Sequence, residues 1–126
     1  MTDYRSFSGR VVRGKQLGRT LGFPTANLDA QSTDLARGVY AVRVRLESGA
    51  EQMGMMNVGR HPTLPEGPAT VEINLLDFEG DLYGQTLYVE PEAFLRGEVR
   101  FESPDALRAQ LAHDREAVRA LLTKEK

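Results

Sequence analysis

The sequence predicts a mainly β fold, a small antiparallel barrel with one helix packed outside it. Three observations carry this. Short runs with apolar residues at every second position fill the first three-quarters of the chain, and glycines at 49, 59, 67, 80 and 84 separate them. The period then changes, and the last segment repeats its apolar residues at helical spacing. At 126 residues the chain is long enough for one core without staples, so a single domain over 1–126 is expected.

The elements follow in order. Residues 7–13 form a plausible strand centred on Val11 and Val12. Over 39–46, Tyr40, Val42, Val44 and Leu46 alternate with Ala41, Arg43 and Arg45, which gives one apolar and one largely polar face. Residues 52–58 make a second apolar strand, in which Gly54 marks a bulge or a close approach. Residues 71–76 alternate again, with Glu72 and Asn74 opposite Val71, Ile73 and Leu75, and 85–89 follow after a turn. Strands are thus expected between about 7 and 89. Ser103, Pro104 and Asp105 read as N-cap, first helical residue and first-turn acid of a helix over about 104–122. Leu107, Leu111, Val118 and Leu121 share its apolar face, and the tail from Thr123 onward is expected to fray.

Composition removes several function classes. The chain has no cysteine, which excludes disulfides and thiolate metal sites and fits a cytoplasmic location. The net charge of −2 lacks the basic footprint of a nucleic-acid binder, and no apolar run approaches the ~20 residues of a membrane helix. Neither nucleic acid nor membrane is expected as a partner. His61 and His113 stand far apart in unrelated contexts, which leaves little for a histidine metal site or a Ser-His triad, and His61 receives no role.

The chemistry concentrates in residues 9–28, GRVVRGKQLGRTLGFPTANL. Gly9, Gly14, Gly18 and Gly22 interleave with Arg13, Lys15 and Arg19, a pattern suited either to a phosphate-binding flap or to a basic, solvated hairpin turn. A P-loop fails here. Gly9 to Lys15 fits GxxxxGK, but Gln16 occupies the position of the magnesium-binding hydroxyl and no helix follows. Pro24 favours an extended Phe23, and Thr25 and Asn27, two apart, then share a side. A hydroxyl and an amide oxygen together suit Mg²⁺ on phosphates, or simply a turn that bonds its own backbone.

These pieces together resemble the riboflavin kinase family. The flap leading into GRTLGFPTANL carries the resemblance, with Gly38-Val39-Tyr40, Asn57-Val58-Gly59 before Pro62-Thr63, and Val71-Glu72 before Asp77-Phe78 and Leu82-Tyr83-Gly84. Phe94-Leu95-Arg96, Phe101 and the terminal helix complete it, so the likeness spans about residues 7–122. The resemblance implies a six-stranded antiparallel Greek-key barrel with a C-terminal helix packed outside. It implies transfer of the ATP γ-phosphate to the riboflavin 5′-hydroxyl, giving FMN and ADP. Glu72 then matches the catalytic carboxylate, Thr25 and Asn27 hold Mg²⁺ and the phosphates, and Gly14 and Arg19 lie on the flap that meets ATP.

Other residues keep two readings. Tyr83 borders a nucleotide or flavin ring, or is a core aromatic. Arg96, in a loop before Gly97, meets the flavin or is a solvated surface arginine. Asp77 and Asp81 are rival carboxylates that read better as turn formers. Two alternatives compete with a kinase. One is a non-catalytic flavin- or nucleotide-binding barrel, against which stand Thr25, Asn27 and Glu72. The other is a small RNA-binding barrel, against which stand the charge and aromatics expected in core or turn-proximal positions. The resemblance is to the C-terminal domain of bifunctional riboflavin kinase/FAD synthetase. The chain is therefore expected to be free-standing or a domain of such an enzyme, with fusion to or association with an FAD synthetase domain as the partner relationship.

Overall fold

The computed structural model describes residues 4–12, 25–29, 35–59, 70–78, 80–97 and 102–124. Six strands are described: β1 (Phe7–Val12), β2 (Ala26–Leu28), β3 (Gly38–Arg45), β4 (Glu51–Gly59), β5 (Thr70–Leu75) and β6 (Thr86–Arg96). They close into an antiparallel barrel in the order β1-β2-β5-β4-β3-β6. Strands β3, β4 and β5 form a meander, and β6 returns to lie beside β3, which is the Greek-key arrangement. A helix, α1 (Pro104–Lys124), packs on the outside.

Alternation in the sequence becomes the two faces of the barrel wall. Val11, Leu28, Tyr40, Val42, Val44, Met56, Val58, Val71, Ile73, Leu75, Leu87 and Val89 belong to the interior core. Tyr40 is buried there, flanked edge-on by Tyr4 and Phe94 with ring centroids 5.5 and 5.3 Å away, and its hydroxyl donates to the Ala36 carbonyl. Residues one step out of phase face the exterior. Val39, Ala41, Met55 and Leu76 make a second apolar cluster there with Val118 and Leu122 of the helix. Each fully buried branched side chain contributes about 1.5–3 kcal/mol, so this outer cluster is ample to dock α1.

Helix α1 begins as its sequence requires. Ser103 Oγ accepts from the Ala106 backbone N–H at 3.1 Å, and its carbonyl accepts from Leu107. The stripe expected at Leu107, Leu111, Val118 and Leu121 faces the barrel, joined by the fully buried Leu122. The helix runs through Lys124, past its expected end near residue 122, and residues 125–126 of the tail expected to fray lie outside the described residues. Part of the reason is Arg43 on β3, whose guanidinium donates to the Leu122 carbonyl at 3.0 Å and satisfies one end of the last turn. No helix among the described residues is long and apolar enough to cross a membrane.

Two glycines answer to close approaches. Gly54 lies in an unbroken ladder, so it is no bulge, and a Cβ there would sit 3.1 Å from the Asn74 carbonyl on β5. Gly38 has φ +147°, and a Cβ would meet the Phe94 ring at 2.5 Å and the Arg96 carbonyl at 2.7 Å.

Strand β6 corrects the sequence reading. It was expected to end near Val89, with Arg96 in a loop, but it continues to Arg96. Proline cannot donate to a ladder. Here Pro91 pairs with Val42 beside a register shift, where the missing donor is tolerated. A second shift lies between Val39 and Tyr40. Tyr40 pairs with Phe94, yet Val39 pairs with Arg96 rather than Leu95, so the irregularity turns Arg96 to the exterior face.

The turn after β5 ties the helix to the barrel. Asp77 adopts φ +56°, and its carboxylate accepts from Arg119 and, at 3.4 Å, from Arg115 of α1. The Arg119 hydrogen bond above all holds the Asp77 carboxyl below its ordinary pKa. A depressed folded value adds stability above the unfolded pKa of about 4, and this is lost as pH falls through the folded value. Asn tolerates the left-handed backbone, so Asp77→Asn isolates the charge. The variant is expected to melt below the wild type at pH 7, with the gap closing as pH drops below about 4 and shrinking in high salt. Melting curves across pH 2–7 check this, and a gap independent of pH would remove the ion pairs from the account.

Candidate active site

Strand register assembles the site. Asn27 on β2 stands directly opposite Glu72 on β5, and Glu72 stands directly opposite Asn57 on β4. Directly opposed residues of antiparallel strands share a face, with Cβ atoms about 4.5–5.5 Å apart. The flanking residues of β2 and β5, namely Ala26, Leu28, Val71 and Ile73, fill the interior core. Asn27, Glu72 and Asn57 therefore point outward as three consecutive members of one row. Val12 continues the row beyond Asn27, while Val39 and then Arg96 continue it beyond Asn57.

The row has distinct ends. Towards β1 it is open, and Val12 is 37% exposed. Towards β6 it passes under the helix, since Val39 belongs to the outer cluster. Glu72, Asn27 and Asn57 lie between, each half-buried. The Asn57 Oδ1 is buried without a hydrogen-bond partner. Thr25 immediately precedes β2, two residues before Asn27. Gly14, Arg19 and His61 lie outside the described residues.

Tyr83 is not a core aromatic, being 52% exposed. It sits in a turn where its N–H donates to Asp81 Oδ1 at 2.9 Å. That turn adjoins the end of β1, because the Gly84 N–H donates to the Val11 carbonyl at 2.9 Å. Tyr83 is thus carried to the open, Val12–Asn27 end of the row. Asp81 forms the turn that was expected of it. Asp77 lies in the turn beyond the end of β5, paired with Arg115 and Arg119 of α1, so it does not belong to Glu72's row.

Arg96 is neither in a loop nor a solvated surface arginine. Its Nε lies 3.1 Å from both oxygens of Asp114 on α1, and its Nη2 donates to Oδ2 at 2.7 Å. Asp114 is 3% exposed and also accepts from Gln110 Nε2 at 2.9 Å. The sequence reading missed Asp114. It also assigned nothing to Asn57, although an Asn closing the apolar run MGMM was a visible signal. Most aromatics were expected in turn-proximal or core positions; Tyr88 and Phe94 are instead 41% and 45% exposed, and Tyr88 stacks under Arg45.

Among the described residues no cluster of three His, Asp or Glu side chains is arranged for a metal. A cation at this site would take the oxygens of Thr25 and Asn27, with the remaining ligands from a bound phosphate or water. That donor set suits Mg²⁺, which is bound through few protein ligands when phosphates are present.

A family model described as riboflavin kinase (Flavokinase) matches residues 1–122. The chain belongs to the riboflavin kinase family. It is 43% identical over 118 residues to a bifunctional riboflavin kinase/FMN adenylyltransferase of Haemophilus influenzae, covering 93% of this chain and 38% of that protein. It is 43% identical over 108 residues to the RNA-binding riboflavin kinase RibR of Bacillus subtilis, covering 85% of this chain and 46% of that one. Among solved structures, one titled as a macrolide-efflux protein from Streptococcus pneumoniae superposes with a TM-score of 0.81 at 38% identity, over 90% of this chain and 38% of that chain. The chain thus spans less than half the length of these proteins.

Proposed function

We propose that this chain is a riboflavin kinase, which transfers the γ-phosphate of ATP to the 5′-hydroxyl of riboflavin and yields FMN and ADP. The observation that carries this reading is the row in which Glu72 stands between two carboxamides on adjacent strands, in a chain of this family.

Glu72 is the general base. A primary alcohol is a weak nucleophile, and a carboxylate within hydrogen-bond reach accepts its proton as the oxygen attacks phosphorus. The bond from the γ-phosphorus to the bridging oxygen breaks, and ADP departs with that oxygen. Most of the remaining work is positioning and charge neutralisation. Thr25 and Asn27 hold Mg²⁺ with the adjoining phosphates, and the ion offsets the charge of the phosphoryl group when bound. Gly14 and Arg19 meet ATP from the flap. Tyr83 borders the nucleotide at the open end of the row. Arg96 lies three strands from Glu72, about 14 Å around the wall at the usual strand spacing, a span fit for the flavin of a substrate whose 5′-hydroxyl lies at Glu72. On this reading residues 1–126 act as one kinase unit in the cytoplasm, alongside FMN adenylyltransferase activity on the same polypeptide or an associated one.

The test is incubation with riboflavin, ATP and Mg²⁺ followed by chromatographic separation of FMN, with Asn27→Ala and Thr25→Ala run in parallel. The wild type should form FMN. Each variant should need more Mg²⁺ and MgATP, with less change in riboflavin affinity. Flavin binding with no FMN across several metals and nucleotides would favour a binding module. Wild-type activity of both variants at limiting Mg²⁺ would displace the metal pair.

A further inference from the structure

Asn57 has no place in the mechanism above, yet its position is unusual. The exterior face of β4 is otherwise apolar near it, with Met53 and Met55 packed towards the helix. Its ladder is regular on both sides, so no bulge or turn needs a carboxamide. Its Oδ1 is a buried acceptor without a donor. Such an atom is costly to leave unmet and is normally satisfied by a protein group, water or ligand. Its neighbours along the row supply no donor. Val39 on one side has none, and Glu72 on the other carries a carboxylate, an acceptor when ionised. Two acceptors therefore stand side by side on adjacent strands.

We propose that Asn57 is a substrate-binding residue, whose Oδ1 accepts a hydrogen bond from the hydroxyl on the carbon next to the reacting one. The ligand class is a polyol chain ending in a primary alcohol, which offers two O–H donors on neighbouring carbons to two adjacent acceptors. The inference rests on the kinase reading, in which the terminal hydroxyl donates to Glu72. In riboflavin the donor to Asn57 is then the 4′-hydroxyl. Held at both oxygens, the terminal C–C bond keeps one rotamer, and the nucleophile stays aimed at the phosphorus. A site built around such a contact discriminates against a substrate lacking the hydroxyl, because its acceptor is left unmet.

The experiment compares riboflavin with 4′-deoxyriboflavin as substrates for the wild type and for Asn57→Leu, which keeps the volume and removes the acceptor. The wild type should prefer riboflavin by about 10- to 100-fold in kcat/KM, the loss expected for one buried hydrogen bond. In Asn57→Leu the preference should collapse to within a few-fold, with the KM for MgATP unchanged. A preference that survives intact in Asn57→Leu, or its absence from the wild type, overturns the proposal. Should Asn57→Leu not fold, Asn57→Ala is measured in its place against the same outcomes. Flavin affinity by fluorescence quenching reports the same preference without turnover. A protein that binds riboflavin better than the deoxy analogue through Asn57, yet forms no FMN, would refute the kinase reading and keep the contact.

Discussion

Replacement of Glu72 by Gln is expected to lower kcat by about 10²–10⁴, the usual contribution of a positioned general base. The substitution keeps the length and most of the hydrogen bonding of the side chain and removes its basicity. Glu72 faces out of the barrel wall between Asn27 and Asn57, so the core behind it, Val71 and Ile73, is untouched. The melting temperature and the riboflavin affinity should therefore stay near wild type while turnover falls. Asp77→Asn makes the necessary comparison, since it also neutralises a carboxylate of β5 and its turn. Asp77 is engaged by Arg115 and Arg119 at the far end of the strand, so that variant should lose stability and keep turnover. Measuring kcat and thermal stability for both side by side decides the matter. A Glu72→Gln enzyme within a few-fold of wild type, beside a folded but inactive Asp77→Asn, would make Asp77 the base.

What could be read in advance followed from periodicity. Strand β3 announced its two faces through Tyr40, Val42, Val44 and Leu46, and all four lie in the interior core. The start of α1 was equally plain, because Ser103 and Pro104 act through local geometry alone. Register is different. Asn27, Glu72 and Asn57 lie far apart in the chain, and nothing local says that β5 runs between β2 and β4. Each was visible as a polar residue on a strand, and their adjacency was not. Arg96 was hidden twice. Nothing local showed that β6 runs on past Val89, and strict alternation from Phe94 would have aimed Arg96 into the barrel rather than towards the helix. The helix concealed Asp114 within a gap, since the spacing of seven from Leu111 to Val118 leaves one turn of the buried stripe unfilled by an apolar side chain. A charged residue there reads as solvated until its partner on another element is known.

That partner makes Asp114 the position with the largest expected effect on stability. Asp114→Ala removes the counter-charge from Arg96, whose side chain is only 20% exposed, and leaves Gln110 without its acceptor. Breaking a buried ion pair from one side typically costs 3–5 kcal/mol, and the residual exposure of Arg96 places the expectation at about 3 kcal/mol. For a chain of this size that is a fall of roughly 10 °C in melting temperature. Removing both charges is another matter, because an apolar pair of similar volume avoids the desolvation that the ion pair must offset. Arg96→Met with Asp114→Leu should therefore recover most of the stability lost by Asp114→Ala. The double variant also separates the two roles available to Arg96. If the guanidinium only fastens β6 to α1, restored stability brings riboflavin affinity back with it. If it also meets the flavin, the double variant folds like the wild type and still binds riboflavin weakly. Thermal melts and flavin titrations on the two variants and the wild type give the answer, and a double variant as unstable as Asp114→Ala would show that the pair is not what holds the helix in place.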